Sequence, residues 1–372
     1  MSSAEMLGTS GTSTERPPAR EPPLPIAAVV DTECDPGQEA LALSRLSALA
    51  AGCDIEAFTI DASRAFESRL AKEGMVVRRL GRQLHADWAS VRDLAAASRR
   101  SQHRAIYCMG PRAHARGVVA ARLLRVPAAL HPYAMPSFRD LSLARMSGST
   151  LFVATDAALG HARLARCDAV VVQTPMGLES TPGRQASERK ALQRPGCVGW
   201  IGAWREPNNP ALFERAAEAL GRERRDLPFL MIVLGTSPPR ASSTSAITVI
   251  AAEEFAPAQL AEMGVLVHTG FDDGCPVAWM EAHLRGMSLV LPADGFVDGF
   301  VRASEAHFYS PGYLNELIPA IAAAVDSARQ PTPGARALCA SGDSSPSLLT
   351  AVAQVVSREN RPGGFGNGGE QS

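Results

Sequence analysis

The chain has 372 residues, of which 46% are hydrophobic, with 37 basic and 38 acidic side chains. This length predicts two compact domains, and the balanced charge gives no overall attraction to nucleic acid or membrane. Only Lys72 and Lys190 are lysine. Neither stands in a motif that would position it, which excludes chemistry on a catalytic Schiff-base lysine.

The seven cysteines are spread along the chain, without a C-x-x-C pair or a histidine at zinc-ligand spacing. We therefore expect no disulfide framework and no structural metal. No apolar run approaches the roughly 20 residues that span a bilayer. Residues 1–24 are rich in Ser, Thr and Pro and lack the apolar core of a signal peptide, which predicts a disordered leader on a soluble, cytoplasmic protein.

Residues 25–180 alternate between short apolar runs and segments of helical periodicity. PIAAVV at 25–30 is typical of a buried parallel strand, and a helical pattern over 40–52 leads into a second strand, DIEAFTI. The same rhythm continues through AIYCMG and VPAALH to DAVVVQT. This pattern predicts one doubly wound α/β domain.

The charged segment 181–196 predicts a linker, after which the alternation restarts with CVGWIGAW. Residues 197–340 are therefore expected to form a second α/β domain, followed by a terminal helix within 341–360 and a disordered tail over 361–372. The predicted fold class is α/β, with two facing Rossmann-like domains and a cleft between them.

The most informative segment is VLVHTGFDDGCPVAWMEAHLRGMSLVLPADGFVDGFV, residues 265–301. A strand ends at HTG, an acidic loop with a glycine follows, and a helix is predicted to begin near Pro276. The backbone amides of Gly274, Cys275 and Val277 would then lie at a helix N-terminus, where they can bind the oxygens of a sugar or diphosphate. Asp273 would lie at the mouth of the loop.

This segment resembles the signature of family 4 of the retaining glycosyltransferases, also called glycosyltransferase group 1, which have the GT-B fold. Glu281, Ala282 and Gly286 keep the family spacing, whereas Asp273 replaces the first glutamate. The resemblance implies the roles of two groups of residues. Glu281 holds the ribose of the donor nucleotide, and the donor sugar is contacted by Asp273, Gly274, Cys275 and Pro276, with Val277 completing the amide site.

Other parts of residues 25–330 resemble the same family in the expected order. Gly37 matches one glycine of the donor-binding loop near the N-terminus, and VPAALHPY nominates His131 as a catalytic residue on the acceptor side. The family places an arginine and a lysine on the loop after the first strand of the second domain. Trp200 is expected at the arginine position and Arg205 at the lysine position, which makes Arg205 the cation for the departing diphosphate.

The resemblance implies a hexosyltransferase of polysaccharide biosynthesis that uses a UDP- or GDP-linked sugar. It implies retention of anomeric configuration, no metal and no cofactor beyond the nucleotide sugar. The expected catalytic residues are His131, Arg205 and Asp273. The acceptor could be a carbohydrate, a lipid-linked molecule or a small molecule. No nucleic-acid partner is expected, because aromatic residues make up only 5% of the chain and are not interleaved with the basic ones.

Two alternatives remain open at this point. The shorter Asp273 and the absent arginine would also suit a glycosyltransferase-like binding protein without turnover. A sugar-nucleotide 2-epimerase shares the two-domain architecture. A dinucleotide oxidoreductase is disfavoured, because DTECDPGQ after the first strand has one glycine in place of G-x-G-x-x-G.

Charge is distributed unevenly along the chain. Residues 61–145 carry 16 basic and six acidic side chains, whereas residues 251–326 carry two basic and eleven acidic. We interpret the arginines at 112, 116, 122 and 125 as a solvated helix face. The alternative is peripheral contact of the basic first domain with the inner face of the membrane.

Overall fold

The computed structural model describes residues 22–34, 36–81, 88–133, 136–154, 156–172, 197–204, 206–234, 247–251, 263–270, 279, 282, 287–293, 306–328 and 347–359. These residues form two parallel sheets, one of seven strands and one of six, with helices between the strands. The first sheet takes its strands from residues 24–171 and the second from residues 197–309.

The strands of the first sheet are short apolar runs, as buried parallel strands require. They are β1 (Leu24–Val30), β2 (Cys53–Thr59), β3 (Val76–Arg79), β4 (Ala105–Met109), β5 (Ala128–Leu130), β6 (Thr150–Val153) and β7 (Ala169–Val171). Their order across the sheet is β3-β2-β1-β4-β5-β6-β7, and every pairing is parallel. The strand order therefore reverses between β1 and β4.

The helices of the first domain cover both faces of this sheet. They are α1 (Pro36–Ala50), α2 (Arg64–Lys72), α3 (Trp88–Arg100), α4 (Pro111–Leu124), α5 (Phe138–Ser147) and α6 (Asp156–Leu164). Side chains of α1 and α2 pack into the core on one face. Those of α3, α4, α5 and α6 pack into the core on the other.

The second sheet repeats the topology of the first. Its strands are β8 (Cys197–Ala203), β9 (Phe229–Leu234), β10 (Ile247–Ala251), β11 (Met263–Val267), β12 (Ser288–Pro292) and β13 (Ala306–Tyr309). The order β10-β9-β8-β11-β12-β13 is again all parallel and reverses between β8 and β11. A short 3₁₀ helix (Glu206–Asn208) precedes α7 (Pro210–Glu223), and α8 (Leu314–Ser327) follows β13.

The last described helix, α9 (Leu348–Glu359), returns to the first domain. Its apolar residues Leu348, Val352 and Val355 are buried in the same core as α1. Leu349 lies against Gly52, where an added Cβ would come within 2.7 Å of the leucine side chain. The end of the chain therefore stabilises the domain in which the chain began.

Several elements were not predicted from the sequence. These are α2, α5, β13 and α8. A helix predicted over 257–263 overlaps the start of β11, so its last residue was assigned wrongly, and residues 257–262 lie outside the described part of the chain. Pro319 lies inside α8, in its second turn, where it removes the backbone hydrogen bond to the carbonyl of Asn315.

Candidate functional site

In open parallel sheets, ligands bind at the carboxyl ends of the strands where the strand order reverses. The protein has two such points, one between β1 and β4 and one between β8 and β11. Charged side chains lie at the first point, and neutral hydrogen-bonding groups lie at the second.

At the first point, an aspartate and an arginine from distant parts of the chain form an ion pair. Asp31 directly follows β1 and is completely buried, and Arg112 lies in the first turn of α4. The guanidinium of Arg112 donates to the Asp31 carboxylate through Nε at 2.8 Å and Nη2 at 2.7 Å. The same Nη2 lies 3.2 Å from the carboxylate of Asp61, which follows β2.

Gly110 allows this approach of the two strand ends. It precedes α4 with φ at +93°, and an added Cβ would lie 2.3 Å from the carbonyl oxygen of Asp31. An L side chain rarely adopts that φ and has no space there. The glycine therefore brings the start of α4 directly against Asp31.

The anion position at the N-terminus of α4 is consequently filled by the protein itself. The backbone N–H of Arg112 donates to the Asp31 carboxylate at 3.2 Å, in the place where a helix N-terminus would otherwise bind an external anion. Hydrogen bonds to Asp31 raise the pKa of Arg112 further above its already high value. The guanidinium of Arg112 is therefore always charged.

Beside this ion pair, an open pocket of about 690 Å³ lies at the carboxyl ends of β2 and β3. Its lining residues are Cys34, Ala62, Ser63, Arg64, Arg79, Leu80 and Gly81. Ser63 caps α2 by accepting from the Phe66 N–H. Arg79 pairs with Glu67 at 2.6 Å. The pocket thus offers hydroxyl and guanidinium groups to a polar ligand.

His131, which was predicted to be a catalytic residue on the acceptor side, follows β5 at the carboxyl edge of the first sheet and is completely buried. Its Nδ1 lies 2.5 Å from the hydroxyl of Tyr107, and its ring also contacts Phe152 edge-on. Burial holds the pKa of His131 well below its ordinary value, and the nearby Arg45 and His114 lower it further. The ring is therefore neutral and out of contact with solvent in this conformation.

Two further buried groups lie near His131 and were not identified from the sequence. His114 on α4 contacts Asp140 on α5 through Nδ1 at 2.7 Å. Burial opposes ionisation of Asp140, but hydrogen bonds from His114 and Ser137 outweigh it and lower the pKa of Asp140. Asp140 also completes a capping box with Ser137, so one carboxylate fixes the start of α5 and joins it to α4.

At the second reversal point, neutral hydrogen bonds join the residues after β11 to β8, to the 3₁₀ helix and to β13. The indole Nε1–H of Trp200 donates to the Thr269 hydroxyl at 2.8 Å, and that hydroxyl donates to the Asn208 carbonyl at 2.7 Å. Tyr309 donates to the His268 carbonyl at 2.9 Å. Trp200 lies within β8 and is almost fully buried, so it comes before the loop on which family 4 carries its arginine.

Apart from Gly37, the residues predicted to bind the donor or its diphosphate lie outside the described residues. They are Arg205, Asp273, Gly274, Cys275, Pro276, Val277 and Glu281. In the sequence, Asp273 comes three residues after Gly270 and six residues after the end of β11. Within the same segment, Trp279 and Ala282 have helical backbone and are buried in the second domain's core, in accord with the helix predicted there.

Gly37 was predicted to lie in the turn after the first strand. The structure places it instead as the second residue of α1. Among the described residues, no group of three His, Cys, Asp or Glu side chains is arranged to hold a metal ion. No helix in the described part of the chain is long and apolar enough to cross a membrane.

Of the four arginines interpreted as a solvated helix face, two are not solvated. Arg112 forms the ion pair with Asp31, and Arg116 is buried and donates to the Gly81 carbonyl at 2.9 Å. Arg122 and Arg125 are exposed as expected. The basic character of the first domain therefore has an internal part and a surface part.

No protein-family model and no curated protein match the sequence. Solved structures do match its fold. Anabaena HepE, crystallised with UDP and glucose, has a TM-score of 0.62 and 15% identity, covering 90% of this chain and 99% of that chain. A glycosyltransferase from Rickettsia africae has a TM-score of 0.60 and 10% identity, covering 91% of this chain and 94% of that chain.

A putative UDP-N-acetylglucosamine 2-epimerase from Listeria monocytogenes also matches, with a TM-score of 0.60 and 11% identity, covering 86% of this chain and 94% of that chain. At these identities the likeness concerns the fold. The expectation of a GT-B fold built from two Rossmann-like domains is confirmed.

Proposed function

We propose that the protein is a glycosyltransferase that moves a hexose from a nucleoside diphosphate to an acceptor hydroxyl. The observation that supports this proposal most strongly is the difference in charged groups between the two points where the strand order reverses. Asp31 already fills the anion position of the first domain, which leaves the second domain to bind the donor. There Asp273 follows the end of β11 by six residues in the sequence.

In the second domain, Glu281 would hold the ribose hydroxyls of the donor. Asp273 and the amides of Gly274, Cys275 and Val277, with Pro276 between them, would contact the sugar. Arg205, which precedes the 3₁₀ helix fixed by the Thr269 hydrogen bond, would neutralise the departing diphosphate. With arginine and amides in this role, transfer would need no metal and, as in family 4, would retain the anomeric configuration.

The acceptor would approach through the first domain. The open pocket lined by Ser63, Arg64 and Arg79 supports this proposal, because hydroxyl and guanidinium groups can hydrogen-bond a carbohydrate, a lipid-linked sugar or a small polar molecule. His131, being buried, would act by holding the adjoining turn in place, together with Arg45, which donates to the Pro132 carbonyl. A cytoplasmic role in polysaccharide biosynthesis is part of the same proposal.

A thermal-shift screen with UDP- and GDP-linked sugars tests donor binding. A ligand at 100 times its Kd adds about 2.7 kcal/mol of apparent stability. We expect Glu281→Ala to lose this shift, whereas Glu223→Ala, an exposed glutamate at the end of α7, keeps it. An equal shift in Glu281→Ala and the wild type would contradict the ribose assignment.

A sugar-nucleotide 2-epimerase is the second candidate, favoured by the similarity to the Listeria structure. Incubation of the donor without acceptor separates the two activities, because only an epimerase then forms an epimeric nucleotide sugar. Transfer with an acceptor panel, with and without EDTA, tests retention and metal independence from the anomeric configuration and yield of the product. Donor binding without any conversion would instead favour a binding protein that lacks turnover.

A further inference from the structure

Large apolar side chains are exposed mainly on one helical layer of the first domain. Among the described residues, five of the seven exposed large apolar side chains belong to α3, α4, α5 and α6. They are Trp88, Leu123, Phe138, Met146 and Leu164. Phe138 is 86% exposed and Met146 is 70% exposed, so neither contributes to the core.

The same layer is strongly basic. Residues 88–166 contain twelve arginines, three aspartates and no glutamate. Of the aspartates, Asp140 is buried in its contacts with His114 and Ser137. The layer therefore presents apolar and positively charged groups with few acidic groups among them.

Helix α5 shows this combination most clearly. Phe138, Arg139, Arg145 and Met146 are exposed, whereas Asp140 and Ala144 are buried on the opposite side of the helix. The only acidic side chain of α5 thus faces inward. Because Phe138 and Met146 are eight residues apart, they are separated by about 12 Å along the helix.

The C-terminal end of α4 extends this surface. The guanidinium of Arg122 donates to the Met146 carbonyl, which places the end of α4 beside the end of α5. Leu123 and Arg125 are exposed in the same turn. We call the exposed residues of these two helices the α4–α5 face: Arg122, Leu123, Arg125, Phe138, Arg139, Arg145 and Met146.

The helix α2, on the other side of the sheet, provides the contrast. Its exposed cations Arg64, Arg69 and Lys72 share the helix with Glu67, and Glu73 follows directly. Its large apolar side chains Phe66 and Leu70 are buried. The combination of exposed apolar groups and unbalanced arginines on the α4–α5 face is therefore not shared by α2.

We propose that the α4–α5 face docks the protein onto a bilayer containing anionic lipids. The four arginines bind lipid phosphates, and Phe138, Met146 and Leu123 enter the headgroup boundary. Charge complementarity identifies the occupant as anionic, and the large apolar side chains between the arginines distinguish a lipid surface from a soluble polyanion. The inference is independent of the donor chemistry proposed above.

Vesicle flotation of the full chain tests this docking. The vesicles contain phosphatidylcholine alone or with 30 mol% phosphatidylglycerol, at 0.1 M salt. We expect binding only to the anionic vesicles. Arg139→Glu/Arg145→Glu should lower the partition coefficient by more than about 30-fold, and Phe138→Ser/Met146→Ser by about tenfold.

Matched variants on other surfaces serve as controls. Arg69→Glu/Lys72→Glu on α2 makes the same change in net charge and should leave binding within about twofold, as should Tyr313→Ser, which removes an exposed aromatic side chain of the second domain. Circular dichroism spectra establish that each variant is folded. All these substitutions are at exposed positions.

Three outcomes would overturn the proposal. The first is absence of wild-type binding to the anionic vesicles. The second is an equal loss of binding in the α2 charge variant, which would indicate nonspecific attraction. The third is unchanged vesicle binding by Phe138→Ser/Met146→Ser, which would indicate a surface for a soluble polyanion such as RNA.

Discussion

The two domains share one strand order but close its reversal point by different chemistry. In the first domain, Arg112 joins the ends of β1 and β2 through the carboxylates of Asp31 and Asp61. In the second, the Thr269 hydroxyl, two residues after β11, joins Trp200 in the middle of β8 to the Asn208 carbonyl through neutral hydrogen bonds. We call the contacts of Arg112 with Asp31 and Asp61 the charged closure, and the hydrogen bonds among Trp200, Thr269 and Asn208 the neutral closure. The same topology contains the charged closure in one domain and the neutral closure in the other.

This difference indicates how two domains with the same topology can bind different ligands. A helix N-terminus with its anion position filled by an internal carboxylate is unavailable to a diphosphate. The neutral closure uses no charged side chain, so the charges that bind a ligand can come from the loops that follow the strands. The asymmetry agrees with the basic first domain and the acidic segment 251–326 of the second.

Loss of the charged closure should have the largest effect on stability. Arg112→Ala leaves the completely buried Asp31 without its cation, and we expect the free energy of unfolding to fall by about 3–5 kcal/mol. Urea denaturation followed by circular dichroism measures the change. Arg99→Ala, at an exposed position on α3, should change stability by less than about 0.5 kcal/mol.

A similar small effect of both substitutions would mean that Asp31 does not depend on Arg112. In that case the anion position at α4 would be open to exchange with an external anion. Addition of inorganic phosphate would then stabilise the wild type in the same denaturation experiment.

The alternation of strands and helices could be predicted because buried parallel strands must be apolar along their whole length. The unpredicted helix α2 has a different character, since in RAFESRLAK only Phe66 and Leu70 are buried. Its start is fixed by a hydrogen bond between residues distant in sequence, in which the Ser63 hydroxyl donates to the Glu39 carboxylate at 2.8 Å. Patterns within one segment carry little information about such a helix.

The charged closure escaped the sequence analysis for a related reason. Asp31 and Arg112 are 81 residues apart, and the spacing of arginines along α4 favoured a solvated face. The available signal was positional: each residue follows a strand, and those strands are neighbours in the common 3-2-1-4 order. The family resemblance located the acidic segment after β11, because that motif is contiguous in the chain.

Removal of the neutral closure should have an intermediate effect. Thr269→Val leaves both the Trp200 Nε1–H and the Asn208 carbonyl without the Thr269 hydroxyl, and we expect a loss of about 2–3 kcal/mol in the free energy of unfolding. Thr269→Ser keeps the hydroxyl and should cost only about 1 kcal/mol. Because valine keeps the methyl group and serine keeps the hydroxyl, a loss in Thr269→Ser as large as that in Thr269→Val would mean that the hydrogen bonds contribute no more than packing of the methyl group.

The charged and polar interior of the first domain should also make its stability depend on pH, through His131. Burial keeps this ring neutral in the folded protein, whereas in the unfolded chain it titrates with a pKa near 6.5. The unfolded state therefore binds more protons below about pH 6.5. The contribution of His131 to stability is fully present above that pH and is lost as the pH falls, by up to about 1.4 kcal/mol per pH unit.

Urea denaturation between pH 7.5 and 5 measures this dependence in the wild type and in His131→Gln, which cannot titrate. The comparison concerns the slope with pH, because the glutamine also changes the contact with Tyr107 and lowers stability at every pH. His103 and His307 also have lowered pKa values, owing to burial, and supply the residual slope in the variant. Parallel curves of unfolding free energy against pH for the two proteins would mean that His131 can be protonated in the folded state. His131 would then be a group able to exchange a proton with the acceptor.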